Sequence, residues 1–336
     1  MADTSLRLSA GFPPTSKSPT YIRWAEELGY DAAYLFDTPF QGDDVWVQLH
    51  RAAETTSRIT IGPGVLIPSM RHPLVNAANT ISLHELARGR VVVGFGTGFG
   101  TQAAIGQPAV PWAYMERYIN TYTALLRGEA TKWDGQHIQL LLPTDLKKVL
   151  PLQVPLLIAA LGPRGSQAAT ALGADGIIGF DQPSEHLTDY PRSMLVVMGT
   201  VLDPGESAAD ERVKKATLPL WALMYHMTYK MKSRDAVLEL PGGKEWLDVI
   251  EKHPAHLRHL AVQTGHVLEG NEADEAAWDI AAAHTLSHAT WSLPAAEMGK
   301  RVRALGDHGV SEVQFQGTGP DMRRELEAFA NAVRGT

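Results

Sequence analysis

Short apolar segments alternate with segments that carry helix signals along most of the chain. Apolar segments at residues 6–12, 31–37, 59–69 and 91–98 are each followed by a predicted helix. Strands that are apolar on both faces and alternate with helices are typical of a parallel sheet covered by helices, either doubly wound or closed into a (β/α)8 barrel. Further candidate strands follow at residues 155–162, 176–180, 193–202 and 310–316. The total of eight strands favours the α/β barrel.

Two segments interrupt this alternation. Residues 130–143 contain Asp134-Gly135, a dipeptide that favours a β-hairpin. Residues 208–279 are irregular and helical, and we interpret them as an insertion in the C-terminal part of the chain. Because barrels accommodate insertions, residues 1–336 are predicted to form a single TIM-barrel domain.

Charge and composition exclude several classes of function. The formal net charge is −7, from 30 basic and 37 acidic residues without a long run of either sign, so no nucleic-acid partner is expected. The chain has no cysteine, which excludes disulfides, thiolate metal ligands and cysteine nucleophiles. No apolar run approaches the roughly 20 residues of a membrane span. Since no secretory signal is recognisable either, we expect a cytoplasmic protein that does not bind membranes.

The loops after the carboxyl ends of the strands carry the reactive groups of a (β/α)8 barrel. The residues at those positions are Phe12, Asp37, Thr38 and residues 65–69, 96–99, 162–166, 179–181 and 317–319. Several of these groups are glycine clusters, and glycines that open onto a helix allow backbone N–H groups to bind a phosphate. The cluster at 162–166 also contains a cation, Arg164. Glycines that only form tight turns are the alternative, and residues 317–319 are a rival phosphate site.

Other catalytic signatures are weak or absent. His256 with His259, and His284 with His288, have ligand-like spacing, but no catalytic glutamate accompanies either pair, so we expect no metal. No G-x-S-x-G nucleophile motif occurs, and the glycine run at residues 94–100 lacks the context of a dinucleotide-binding fingerprint.

The apolar segment at residues 221–231 allows two interpretations. It either lines a substrate pocket, with Tyr225 and His226 as the contacts, or packs in a protein core. A buried histidine that is satisfied by a backbone carbonyl is the core alternative for His226.

The stretch SRITIGPGVLIPSMRHPLVNAANTISLHELARGRVVVGFGTG, residues 57–98, resembles the luciferase-like flavin-dependent oxidoreductases. Within them it resembles the branch that includes methylenetetrahydromethanopterin reductase. Further similar segments are LLRGEATKWDGQHIQL, VPLLIAALGPRGSQAATALGADGII and VSEVQFQGTGPDMRRELEAFA. Together these segments span most of the chain outside the helical insertion.

This resemblance implies a barrel that binds the deazaflavin coenzyme F420, or alternatively FMN, at its C-terminal mouth. It also implies a non-proline cis peptide bond in the third strand, which by position falls between Gly64 and Val65 and forms a bulge behind the cofactor ring. The cofactor-binding residues expected on this basis are Gly11, Asp37, Gly64, Val65, Leu66, Gly96, Thr97, Gly98, Gly162, Pro163, Arg164, Gly165 and Ser166. The expected substrate contacts are Phe12, Phe99, Tyr225 and His226.

The sequence departs from the family pattern near the expected ring. Many members have an aspartate followed by a histidine after the second strand, whereas this chain has Asp37 followed by Thr38. Where some deazaflavin enzymes place an acidic residue after the fourth strand, this chain has Phe99. We therefore expect Asp37 and Thr38 to be the catalytic residues, with a purely structural role for Asp37 as the alternative.

The resemblance implies three functional hypotheses. The first is an oxidoreductase that transfers a hydride from reduced coenzyme F420 to a small organic substrate, because the GPRGS turn resembles the deazaflavin-using branch. The second is an FMN-dependent monooxygenase that a partner flavin reductase supplies with reduced flavin. The third, suggested by the missing histidine, is a non-catalytic flavin-binding protein. The resemblance also implies a homodimer.

Overall fold

An eight-stranded parallel barrel is the main unit of the computed structural model, which describes residues 6–335. Its strands are β1 (Arg7–Phe12), β2 (Ala32–Leu35), β3 (Thr60–Pro63), β4 (Val93–Phe95), β5 (Leu156–Ala159), β6 (Gly176–Phe180), β7 (Arg192–Met198) and β8 (Glu312–Gln316). Their order in the sheet is β3-β2-β1-β8-β7-β6-β5-β4, with parallel pairing throughout. Parallel bridges from Ile61 to Val91 and from Leu66 to Phe95 join the two edges. The predicted (β/α)8 barrel is therefore confirmed.

The helices alternate with the strands in the first half of the chain and cluster between β7 and β8. They are α1 (Ser18–Glu27), α2 (Val45–Thr55), α3 (Pro73–Leu86), α4 (Phe99–Ala104), α5 (Trp112–Leu126), α6 (Pro163–Ala171), α7 (Glu211–Trp221), α8 (Leu223–Met231), α9 (Arg234–Leu238), α10 (Gly243–Ile250), α11 (Arg258–Gln263), α12 (Glu272–Ala289), α13 (Ala295–Asp307) and α14 (Met322–Arg334). Short 3-10 helices lie at Pro39–Gln41, Pro68–Met70, Leu146–Val149, Leu187–Asp189 and Ala255–Leu257. Two-residue strands at Val201–Leu202 and Leu293–Pro294 pair beside the barrel.

The two faces of each barrel strand pack into different cores. Alternate residues point inward, where Tyr34, Leu157, Ile178, Met194 and Val196 belong to one buried cluster. The residues between them point outward and join the larger core beneath the helices. Because both faces are buried, these strands are apolar almost throughout, which explains their sequence pattern.

An ion pair closes the N-terminal end of the barrel. Arg192 Nε donates to Glu312 Oε2 at 2.9 Å, and the Tyr34 hydroxyl donates to Glu312 Oε1 at 3.0 Å. Burial raises the pKa of Tyr34 well above its ordinary value, so the phenol remains a donor. In the described barrel strands the charged residues are Arg7, Arg192 and Glu312, and each is the first residue of its strand.

The helical insertion has a core of its own. Helices α7 to α12 bury Trp221, Tyr225, Trp246 and Trp278 against one another, with the ring centroids of Trp221 and Trp278 5.2 Å apart. The helical segment predicted over residues 208–279 continues to Ala289, the last residue of α12. The predicted hairpin at Asp134-Gly135 is confirmed, since Thr131–Trp133 pairs antiparallel with Gln136–Ile138.

The third strand ends early and continues as irregular chain into the barrel mouth. Regular pairing with β2 ends at Pro63, and the backbone N–H of Gly64 donates to the Leu35 carbonyl oxygen at 2.8 Å. The peptide bond between Gly64 and Val65 is cis, which confirms the prediction from the resemblance.

Candidate active site

Val65 packs against the neighbouring strand β4, where glycines make room for its side chain. A Cβ atom added at Gly96 would lie 2.6 Å from Val65 Cγ2, and one added at Gly94 would lie 3.1 Å from Val65 Cγ1. Larger residues on β4 would therefore displace the Val65 side chain. In this way the expected residues Gly64, Val65 and Gly96 are brought together at one wall of the mouth. Leu66 differs, because its side chain is buried in the outer core and its N–H donates to the Gly94 carbonyl oxygen.

The barrel mouth has an apolar floor. Val65, Ala159 and Met198 lie above the fully buried inner layer and are themselves only partly buried. Leu161 and Phe180, at the ends of β5 and β6, are 61% and 40% exposed. We call Val65, Ala159 and Met198 the apolar floor. These three apolar side chains offer a flat aromatic ring a contact surface.

Asp37 is engaged by protein groups on both carboxylate oxygens. Arg71 Nη1 donates to Asp37 Oδ1 at 2.7 Å and to Oδ2 at 2.8 Å, and the backbone N–H of Ile67 donates to Oδ2 at 3.2 Å. Arg71 also donates to Asp44 Oδ2 at 2.6 Å through Nη2. The pair ties the end of β2 to the segment after the cis bond.

Burial governs the protonation of this pair. Burial raises the pKa of Asp37, and the nearby Arg71 guanidinium opposes that rise. Burial also disfavours the charge of Arg71, but Asp37 and Asp44 raise the pKa of its guanidinium overall. Held in this way, Asp37 fixes the end of β2 to the segment after the cis bond, and its expected catalytic role stays a prediction. Thr38, by contrast, has a buried hydroxyl without a hydrogen-bonding partner among residues 6–335.

The GPRGS turn forms the N-terminus of α6 beside the end of β5. Gly162 is the N-cap residue, and a Cβ atom added there would meet nothing within 4 Å, so the turn is open. Gly165 is close-packed instead, since its Cβ would lie 2.6 Å from Ala160 Cβ. Arg164 is exposed and pairs with no acidic side chain of the described chain. Pro163 occupies the first helical turn and Ser166 is partly exposed.

The fourth-strand loop packs against the third. Gly98 adopts φ 70°, and a Cβ atom there would lie 2.5 Å from Ile67, so glycine is required for both reasons. The Thr97 carbonyl oxygen accepts from the Val110 N–H at 2.9 Å. Thr97 and Phe99 are both partly exposed beside this glycine. Their side chains therefore remain candidates for ligand contacts.

Phe12 does not lie at the mouth. It is fully buried in the outer core, with its ring centroid 5.7 Å from that of Tyr21 on α1. The inward residue at this level is Gly11, because neighbouring strand residues point to opposite faces. The expected substrate contact by Phe12 is therefore corrected to a packing role.

Tyr225 and His226 lie in the core of the insertion. The Tyr225 hydroxyl donates to the Pro241 carbonyl oxygen. His226 Nε2 lies 3.0 Å from Asp274 Oδ1, which also accepts from Trp246 Nε1 at 2.9 Å. These contacts correct the expected substrate-binding role and favour core packing, with the Asp274 carboxylate rather than a backbone carbonyl as the partner of His226.

A variant of Asp274 tests this core assignment. Asp274→Ala is expected to lower the free energy of unfolding by about 3 kcal/mol, because two buried donors lose their acceptor at about 1–3 kcal/mol each. Urea denaturation measures the loss, and cofactor affinity should stay unchanged. The matched control is Asp279→Ala on the same helix, whose side chain is 73% exposed; we expect a change within about 0.5 kcal/mol. Equal effects of both variants would contradict the assignment.

The insertion contacts the barrel through His266. The Gln41 side-chain amide donates to the His266 carbonyl oxygen, and the His266 ring lies 6.1 Å from that of Phe40. A Cβ atom added at Gly100 would lie 2.9 Å from His266 Nε2. Burial lowers the pKa of His266 to about 3, so its imidazole is neutral at neutral pH.

The rival phosphate site at residues 317–319 is covered by helix α7. The Thr318 hydroxyl donates to the Ala216 carbonyl oxygen at 2.8 Å, and a Cβ atom on Gly319 would lie 2.9 Å from Ala216 Cα. These glycines therefore serve close packing.

Sequence reasoning missed two inward-facing polar residues, Gln314 and Gln316 on β8. The alternation in EVQFQ is the signal that could have identified them, because it places Glu312, Gln314 and Gln316 on one face. Among residues 6–335, no cluster of three or more His, Asp or Glu side chains is arranged to hold a metal ion. Within the same range, the helices are too short or too polar to cross a membrane.

Comparison with known proteins relates the chain to a family and a fold. Residues 5–194 match the family model described as Luciferase-like monooxygenase. A 5,10-methylenetetrahydromethanopterin reductase of Archaeoglobus fulgidus is 27% identical over 170 residues, covering 49% of this chain and 49% of that protein. The match therefore spans about half the length of this relative.

Two solved structures extend the likeness to the whole fold. The coenzyme F420-dependent tetrahydromethanopterin reductase from Methanopyrus kandleri superimposes with a TM-score of 0.64 at 18% identity, covering 98% of this chain and 99% of that one. An F420-dependent secondary alcohol dehydrogenase in complex with an F420–acetone adduct gives a TM-score of 0.63 at 15% identity, covering 98% and 99%. At these identities the likeness concerns the fold.

Proposed function

The chain belongs to the luciferase-like monooxygenase family, and from this premise we propose that it is an oxidoreductase that uses reduced coenzyme F420. Its substrate would be a small organic molecule bound at the C-terminal mouth of the barrel. Two of the compared proteins are described as F420-dependent, which supports this choice of cofactor. When bound, the reduced deazaflavin supplies a hydride to the substrate.

The observation that carries the proposal is the apolar floor beside an unpaired cation. Ala159 of the floor ends β5, and Arg164 follows in the first turn of α6. A flavin or deazaflavin combines an aromatic ring with a phosphate group, so it requires both surfaces in one site. The floor would carry the ring, and Arg164 with the open turn at Gly162 would bind the phosphate.

The remaining groups at the mouth would position the ligands. The Asp37–Arg71 pair holds the segment after Val65 against the end of β2. Thr38 has a buried hydroxyl with no partner within the described chain, and we assign to it a hydrogen bond with the bound ligand. The exposed Leu161 and Phe180 side chains would exclude water from one side of the mouth.

A cofactor titration tests the proposal. Purified protein is titrated with coenzyme F420 and, separately, with FMN, and binding is followed by fluorescence quenching and absorbance change. We expect micromolar or tighter binding of F420 and weaker binding of FMN. Binding of neither cofactor would refute the proposal.

Removal of the Arg164 guanidinium should weaken cofactor binding. Arg164→Ala is expected to raise the dissociation constant about 10- to 100-fold, since a hydrogen bond to a charged group contributes about 1.5–3 kcal/mol. The melting temperature should not change, because Arg164 is exposed and unpaired within the described chain. The control is Arg127→Ala, an exposed arginine after α5 that pairs with Glu129. An unchanged dissociation constant for Arg164→Ala would show that Arg164 does not bind the cofactor phosphate.

An FMN-dependent monooxygenase is the second candidate function. The exposed apolar residues Leu161 and Phe180 favour it, because oxygen activation by reduced flavin requires a mouth that excludes water. This function would also require a partner that supplies reduced flavin. Oxygen consumption that depends on both reduced FMN and substrate would establish it in place of the deazaflavin reaction. If no substrate reoxidises the bound cofactor faster than buffer does, a non-catalytic cofactor-binding role is favoured.

A further inference from the structure

Polar side chains without partners lie inside the barrel on two neighbouring strands. Ser9 on β1 is paired in register with Gln314 on β8, and Gln316 follows two residues later on the same face. The exposed fractions are 0% for Ser9, 1% for Gln314 and 5% for Gln316. Within residues 6–335, the Ser9 hydroxyl is fully enclosed without a hydrogen-bonding partner, whereas the side-chain amides of the two glutamines form no hydrogen bond but are not fully enclosed. We call these three residues the amide cluster.

The amide cluster extends upward to the mouth. A Cβ atom added at Gly11 would lie 2.1 Å from Gln314 Nε2 and 3.1 Å from Phe36 Cε1. The Gln314 amide therefore lies against the backbone of β1 at the level where that strand ends. Because the two amides form no hydrogen bond within the described chain and are not fully enclosed, they are free to bind a ligand or water at the mouth.

Charge restricts which ligand the cluster can accept. The charged residues of the described barrel strands lie at the opposite end, where Arg192 is paired with Glu312. The Asp37–Arg71 pair near the mouth is satisfied internally. Arg164, which is unpaired within the described chain, follows β5, which β6 and β7 separate from β8 in the sheet, and it is assigned to the cofactor phosphate. An ionised ligand group beside the amide cluster would thus be buried without a counterion, at a large desolvation cost. A primary amide both donates and accepts, so it suits a neutral carbonyl, amide or hydroxyl group.

We propose that Gln314 and Gln316 form a neutral polar subsite that binds an uncharged carbonyl, amide or hydroxyl group of the substrate. The inference rests on the proposed function, because it names the substrate class of that same site. It predicts that substrates whose buried end is a carboxylate or phosphate are excluded.

A matched pair of small probes tests the subsite. Cyclohexanecarboxamide and cyclohexanecarboxylate have the same ring and differ in the charge of the polar group. Each is titrated into cofactor-loaded protein by absorbance change and into cofactor-free protein by thermal shift. We expect the amide to bind at least tenfold more tightly than the carboxylate. Equal binding, tighter binding of the carboxylate, or binding of neither probe overturns the inference.

Variants separate this role from a structural one. Gln314→Leu and Gln316→Leu should each weaken binding of the amide probe at least tenfold. They should leave the melting temperature of the ligand-free protein unchanged or raised, because each removes an unpartnered buried amide. Gln136→Leu, an exposed strand residue in the hairpin, should leave probe binding unchanged. A lowered melting temperature without a selective loss of probe binding would indicate a structural role and overturn the inference.

Two further outcomes distinguish the subsite from the proposed function. If wild-type protein binds neither cofactor, the proposed function fails, while the thermal-shift titration still decides the inference. If Gln314→Leu weakens cofactor binding as strongly as probe binding, the amide serves the cofactor and the substrate subsite is refuted.

Discussion

The Gly62→Ala variant is expected to lose about 3 kcal/mol or more of folding stability. Gly62 points into the barrel from β3, and a Cβ atom there would lie 1.7 Å from the Val92 carbonyl oxygen and 2.8 Å from its carbonyl carbon. These are backbone atoms, so no side-chain rotation can relieve the overlap. Overpacking of a core usually costs about 1–3 kcal/mol, and a clash with backbone belongs at the upper end or beyond. Urea denaturation followed by circular dichroism measures the loss.

Gly162→Ala is the matched control for this substitution. A Cβ atom at Gly162 meets nothing within 4 Å, and its φ of −157° is extended backbone that alanine adopts readily. We therefore expect a stability change within about 0.5 kcal/mol. If Gly62→Ala were as stable as Gly162→Ala, the close approach of β3 to the segment before β4 would be wrong.

Removal of the Arg71 side chain is expected to lower the folding stability by a comparably large amount. Arg71→Met leaves the Asp37 carboxylate buried without its cationic partner, and breaking a buried pair in this way costs about 3–5 kcal/mol. The double variant Asp37→Asn/Arg71→Met removes both charges and should recover most of this loss. A double-mutant cycle measured by urea denaturation gives the coupling between the two side chains. Additive effects of the two single substitutions would contradict a coupled pair.

The loss of folding stability in Arg71→Met should become smaller as the pH falls. Burial already raises the pKa of Asp37, and loss of the opposing Arg71 charge raises it further. A carboxyl group with a raised pKa binds more protons in the folded state than in the unfolded state, so stability falls as pH rises. The deficit relative to wild type should therefore be largest at neutral pH and shrink as the pH falls toward about 4, the ordinary range of aspartate. A deficit that grows on acidification would show that Asp37 is not the uncompensated group.

The resemblance correctly predicted the unusual backbone feature of the mouth. The cis bond between Gly64 and Val65 and the open GPRGS turn both lie where the sequence placed them. The turn is a local feature of five consecutive residues, whereas the cis bond was predicted from the family resemblance. The structure corrects the substrate-binding role predicted for Phe12, Tyr225 and His226. The surroundings of these residues come from distant segments: α1 for Phe12, and α10 and α12 for His226.

The pairing of Asp37 with Arg71 likewise depends on segments that are distant in the chain. Asp37 could be recognised as a residue at a strand end, but its partner Arg71 lies 34 positions further along the chain. Only the parallel arrangement of β2 and β3 brings the two loops together. Gln314 and Gln316 were overlooked because the alternation in β8 shows that they share a face, but it does not show that this face is the barrel interior.

The sequence was sufficient to predict the eight-stranded barrel and its hairpin, but several strands end earlier than predicted, such as the third, which ends at Pro63. Strand and helix periods, glycine turns and proline positions are local properties, and they identify the fold because each element must bury its apolar face. Only the tertiary structure decided which strand-end residues face the mouth. A strand that is apolar on both faces carries no sequence signal for its inward side, so Gly11 and Phe12 are distinguished only after closure of the barrel.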